Sequence, residues 1–297
     1  PFITKQNLFL DRAHTEISVG ESQKAVIEGR VSGKGSLRKM GLGSLVLRQS
    51  NSCKQGTKIY EGTLVLSHPE SLGVEKIDVH GGTLKVTTKI ASNTPIFLHS
   101  SDTTIDVAKD TSLTLFSSLE GKGSIQKKGK GQLFLSNISS FQGDILVAEG
   151  SFVLNKSTFS EASLLDTTFS VKKGGYLGGD GQFGSTMIDG GVLYGNGNYE
   201  KLSIVGGQIA PGNSIGTITV SGNYTQASGS SYELEIENNT SDQIIASGSA
   251  TIDTGAILNI VSIDGTIIKG QTYDILEASG GINQLWSEIN NPSNLPI

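Results

Sequence analysis

Four aspartates, Asp78, Asp102, Asp106 and Asp110, fall in one stretch of the chain. Carboxylates brought onto neighbouring rungs of a sheet are what acid/base cleavage of a sugar bond requires. A carbohydrate-active β-helix enzyme, a polysaccharide lyase or hydrolase with its cleft around 78–110, is therefore one reading. Against it, Asp102, Asp106 and Asp110 flank Ser/Thr-rich turns, where Asp commonly bonds its own backbone. No Arg or His accompanies them in a recognisable catalytic pattern. Gly33-Lys34 and Gly121-Lys122 hint at phosphate loops, but each is followed by Gly and neither has a Gly five residues before it. Gly178-Gly179-Asp180-Gly181 begins like a calcium-binding nonapeptide, yet Phe183 stands where that repeat needs Asp. The histidines His14, His68, His80 and His99 lack metal-ligand spacing and are expected on the solvated surface. No Ser sits in a Gly-x-Ser-x-Gly elbow, and nothing in the order of residues favours a Ser–His–Asp triad. The expectation is no catalytic residue, no cofactor and no metal.

Composition narrows the partners. The net charge of −5 with interspersed signs gives no basic field, so nucleic acid and an anionic membrane surface are not expected to bind. Cys53 stands alone and can form no disulfide within the chain. The apolar run Ala256 to Val261, broken by Asn259, is far too short for a spanning helix. Pro1 opens the chain without a basic and apolar leader, and the chain is expected to be an excerpt of a longer protein whose export signal lies elsewhere. The matches to Asn-x-Ser/Thr at Asn137, Asn155, Asn223, Asn238 and Asn239 are read as turn residues.

The elements that must position all of these are short strands and glycine corners. Gly accounts for 39 of 297 residues, with only six Pro and no collagen-like triplet, so the excess serves turns. Segments rich in Thr, Val and Ile alternate with period two, which predicts an all-β chain. Gly33, Gly35, Gly41, Gly43 and Gly62 recur at a constant offset of 88 as Gly121, Gly123, Gly129, Gly131 and Gly150. The doublets Gly174-Gly175, Gly190-Gly191 and Gly206-Gly207 recur every 16 residues. Identical corners at fixed spacing mean stacked coils, because one coil cannot bury its apolar edge alone. From Ile204 to Gln226 the chain packs two turns and a strand: Gly206-Gly207, then Pro211-Gly212-Asn213, then Gly216, the alternating Ile218 and Val220, and Gly222-Asn223-Tyr224. Later strands are wider, with Glu233, Glu235 and Glu237 on one face and Leu234 and Ile236 on the other, as charged residues on an end strand would blunt its open edge.

The order Gly-x-Gly-x-hydrophobic-x-Lys-x-Gly-x-Gly-x-Leu-x-Leu, seen from Gly33 and again from Gly121, is similar to the autotransporter-associated β-strand repeat. The stretch from Ile204 to Gln226 resembles the Pro-Gly-Asn-Ser signature near the C-terminal end of autotransporter passenger domains. The two resemblances cover most of residues 31–226. They imply a right-handed parallel β-helix with a more irregular β cap at its C-terminus, exported and folded outside the bacterium. The implied organisation is a stalk over 1–203 holding repeats at 33–67 and 121–155, an autochaperone-like cap over 204–280 that is continuous with it, and a linker over 281–297. The implied partners are the protein's own C-terminal outer-membrane β-barrel, outside this fragment, and a host-cell receptor or glycan. No series of amphipathic barrel strands with aromatic girdles occurs within these residues.

Overall fold

A computed structural model describes residues 2–136, 140–155, 163–263 and 270–291. Among them every regular element is a β-strand, and nearly every pairing is parallel. Asn137 and the end of the expected linker lie outside the described residues. The chain divides into two compact units, residues 1–146 with 150–162, and residues 147–149 with 163–297.

In the first unit each strand pairs with its equivalent one coil later. Ala25 lies opposite Leu45, Leu45 opposite Leu64, Leu64 opposite Leu84, and Leu84 opposite Ile105. Period-two alternation sends these side chains inward on every rung, so they form one continuous apolar ladder. Leu45, Leu64 and Leu84 are fully buried. A second sheet runs through Ser36–Met40, Thr57–Ile59, Ile77–Val79, Ile96–Leu98 and Leu119–Gly121. Its inward ladder includes Ile59, Val79 and Leu98. Each coil contributes only a few apolar residues, and the core exists only because the coils stack.

In the second unit the inward column runs Leu177, Leu193, Ile209, Tyr232 and Leu258, and its register continues to Ile289, which is exposed. The first steps follow the 16-residue period, and the later coils are longer. Phe183 and Tyr199 stack with ring centroids 4.7 Å apart, and Phe169 meets Phe183 edge-on. The fold is thus the parallel β-solenoid expected from the sequence. Two details differ from that reading. Ser231–Glu237 is flanked on both sides rather than forming an edge, because Ile257–Ser262 and then Glu288–Asn290 continue its sheet. The tail read as linker also returns to the core, where Trp286 is buried against Tyr232.

Candidate functional site

The repeat glycines are required on two grounds. Gly33, Gly41, Gly62, Gly121, Gly129 and Gly150 all have positive φ, from +64° to +130°. These six, and Gly35, Gly43, Gly123 and Gly131 with them, also face carbonyl oxygens of the preceding coil, which leave no room for a Cβ. The lysine in the motif explains why the corner recurs. Lys39 shares the inward parity of Leu37 and is fully buried. Its Nζ donates to the carbonyls of Met40 (2.8 Å), Gly41 (2.5 Å) and, one coil on, Glu61 (3.0 Å). Lys127, its counterpart, is equally buried and donates to Lys128 O and Gly129 O. A corner leaves carbonyls outside the strand ladder, and a buried ammonium satisfies several at once. Burial lowers the Lys39 pKa, while the charge of Glu61 opposes that shift.

The C-terminal signature forms a second polar centre. Gly206 turns with φ +65°, and Gly212 with φ +80° exchanges two backbone hydrogen bonds with Gly195. Pro211 is buried and Asn213 exposed. Ile218 and Val220 are fully buried, and Gly222 passes close to Glu200 O. Asn223 accepts from Ser249 N (3.0 Å), fixing the corner to the next coil. Gly216 N donates to Asp242 Oδ1 (2.8 Å), and Glu235 N to Asp242 Oδ2 (2.9 Å). Asp242 is fully buried, and burial raises its pKa to about 7 against those two hydrogen bonds. Gln226 sits inward between Ile204 and Ile252. Its Oε1 accepts from Tyr224 Oη (3.2 Å) and Trp286 Nε1 (2.8 Å), and its Nε2 donates to Ser230 O (3.3 Å) and Ile257 O (3.2 Å). The amide therefore uses two acceptor and two donor directions in the core.

The aspartates do not gather. Asp78 lies in the sheet of Ile77–Val79, opposite Phe97, whereas Asp106 lies in another sheet and pairs with Lys85 at 2.6 Å. Asp110 is exposed, with φ +60°. Asp102 borders a shallow recess of about 300 Å³ with Asp144. No cleft joins the four, because the strand register sends them to different faces. Asp78 has its own company, which the sequence did not reveal. Its carboxylate is met by Lys76 Nζ (3.3 Å), Lys58 Nζ (3.6 Å) and His99 Nε2 (3.3 Å). Burial pushes that carboxyl up, but the bonds from His99 and Lys76 and the lysine charges outweigh it and hold the pKa below the usual range.

The histidines were expected to be solvated one by one, but His80 is held between the rings of Tyr60 and His99, at 4.5 Å on either side. Burial and the neighbouring His99 lower its pKa. His14 Nδ1 approaches Ser36 Oγ at 3.4 Å, and His68 Nδ1 accepts from Glu70 N. Among the described residues no three His, Cys, Asp or Glu side chains form a group able to hold a metal ion. Cys53 is buried, and burial pushes its thiol up to about 11. Asn238, at φ +53°, and Asn239 form the turn before Thr240–Ser241.

The two glycine-and-lysine corners coincide with matches to the family model described as Passenger-associated-transport-repeat, at residues 37–66 and 125–154. Repeat and solenoid together support a β-helix of the type V autotransporter passenger kind, and the passengers it is similar to are surface-exposed or secreted through the outer membrane. The chain is 30% identical over 138 residues to the adhesin BmaC autotransporter of Brucella suis biovar 1 (strain 1330), covering 46% of this chain and 4% of that protein. It is 25% identical over 180 residues to an extracellular serine protease of Serratia marcescens, covering 58% of this chain and 15% of that one. The chain thus spans a small part of the length of the curated relatives it matches.

Proposed function

We propose that this chain is the membrane-proximal scaffold of a passenger. It presents an adhesive or other virulence function from the cell surface and performs no catalysis itself. In this reading the segment 204–280, continuous with the stalk before it, is the autochaperone-like cap. It forms first outside the outer-membrane barrel that follows it in the parent protein, and the remaining coils then add to it. The observation that carries the reading is the buried network of Gln226, which ties Tyr224, Ser230, Ile257 and Trp286 together. Fully satisfied buried polar groups specify a unique arrangement, and a solenoid propagates from its first stable coils through nearest-neighbour contacts. The adhesin relative supports a binding role, and the dispersal of the aspartates over separate faces supports a scaffold over the carbohydrate-active alternative.

The test uses the full-length parent with its barrel. Ile218→Asp with Val220→Asp places two charges in fully buried positions, at a cost of several kcal/mol. The expected outcome is an inserted barrel with a protease-sensitive, poorly displayed passenger. Ile105→Asp with Val107→Asp removes equally buried residues from the first unit. That variant should leave residues after 200 protected and displayed. Identical behaviour of the two double variants refutes nucleation by this segment.

A further inference from the structure

We propose that the outer face around Asp78 binds an acidic glycan, a polysaccharide carrying sulfate or uronate groups. The proposal goes beyond the folding role above and takes from it only that this face meets the outside medium, so the two can fail separately. On this face one carboxylate serves three cationic or protonatable groups. The Asp78 side chain is only 5% exposed, while Lys58, Lys76 and His99 are 26%, 50% and 46% exposed. The negative charge is therefore internal, and the surplus positive charge is turned to solvent.

Arg38, on the rung before Lys58, is already paired with Glu16, so it adds nothing to this surplus, and Glu120, on the rung beyond Phe97, bounds the positive patch on that side. In a chain of net charge −5 such a surplus is local, which suits a short acidic segment better than a long, densely charged strand of nucleic acid. Alongside the two ammonium groups runs the ring stack Tyr60, His80 and His99. Because His80 has both faces covered, this stack offers ring edges to a ligand, and the edges of Tyr and His carry O–H and N–H groups that bond sugar hydroxyls and sulfate oxygens. Successive rungs lie about 4.8 Å apart, close to the length of one pyranose residue, so adjacent rungs can meet adjacent sugars.

The experiment titrates the purified chain with four probes by calorimetry: a heparin-derived oligosaccharide, an oligogalacturonate, neutral dextran oligosaccharide and inorganic sulfate. A single-stranded DNA oligonucleotide of matched charge is the fifth. Binding of either acidic oligosaccharide supports the site, and their relative affinity tells sulfate from uronate. Lys58→Gln with Lys76→Gln should weaken that binding about tenfold or more, since charge-assisted bonds are lost. Lys85→Gln, on a different sheet, should leave it unchanged. Asp78→Asn removes the internal counter-charge and keeps both ammonium groups, so it should tighten binding severalfold. Circular dichroism checks that each variant is folded. The proposal is overturned by equal binding of dextran or DNA, by binding of inorganic sulfate alone, or by an equal loss in Lys85→Gln. Weaker binding by folded Asp78→Asn overturns it as well.

Discussion

The glycine doublets offer the sharpest test of the coil geometry, because their two members are required for different reasons. Gly206 has φ +65° and nothing within 4 Å of where a Cβ would stand. Alanine there meets only backbone strain, about 1 kcal/mol, and Asn, which tolerates this conformation, should recover much of it. Gly207 is the reverse case. A methyl there would lie 2.6 Å from Ile188 Cγ2 and 2.7 Å from Gly191 O. That oxygen is backbone of the preceding coil and accepts the ladder bond from Gln208 N at 2.9 Å. The coil must shift, and the bond weakens with it. Overpacking of roughly 1–3 kcal/mol plus about 1 kcal/mol of hydrogen bonding gives about 3 kcal/mol for Gly207→Ala. Thermal melting of the full chain, followed by circular dichroism, should show a fall of about 2–4 °C for Gly206→Ala and two to three times that for Gly207→Ala. Gly206→Asn should lie near the parent and Gly207→Asn far below it. Equal shifts at the two positions, or no recovery in Gly206→Asn, refute the division of labour.

Two further predictions concern buried charge. Lys39→Met keeps the aliphatic stem but withdraws the donor from three carbonyls, and should cost about 2–4 kcal/mol in urea denaturation, with the nearest corners losing hydrogen-exchange protection first. The two units should also answer acid in opposite senses. Folded Asp242 binds its proton up to about pH 7 and its unfolded counterpart only near 3.8, so the second unit gains stability as pH falls through that window, by at most roughly 1.4 kcal/mol per pH unit. Folded His80 resists the proton that its unfolded counterpart takes up near 6.5, so the first unit loses stability as pH falls below that value. Hydrogen exchange compared at pH 7.5 and pH 5, corrected for intrinsic rates, reads both, and a shift of the same sign in the two units refutes the assignment.

What was legible in the sequence follows from what is local. Corner glycines and period-two strands are set by backbone sterics and pleat, so the 88-residue offset and the 16-residue doublets announced stacked coils directly. The inward polar residues were legible in position but not in role. Lys39 shares parity with Leu37, Lys127 with Ile125, Gln226 with Tyr224, and Asp242 with Ile244, and in each pair the apolar partner is buried. A hydropathy reading assigns such residues to solvent, whereas the pleat assigns them to the core. The Asp78 cluster carried no such signal, because Lys58, Asp78 and His99 come from three successive coils and meet only through the register.

The parity argument also explains why the inward Lys39, Lys127, Gln226 and Asp242 lie at or next to a strand end. In the middle of a rung the N–H and C=O groups are taken by the coils on either side. At a corner the chain leaves the ladder, and its carbonyls or amides need partners from elsewhere. Lys39 answers with donors at Met40 and Gly41, and Asp242 answers with acceptors for Gly216 and Glu235. The sign of each buried side chain thus follows from which backbone group its corner leaves open. The lysine recurs with the glycine corner for that reason: the same left-handed turn exposes the same carbonyls each time, and the same cation closes them.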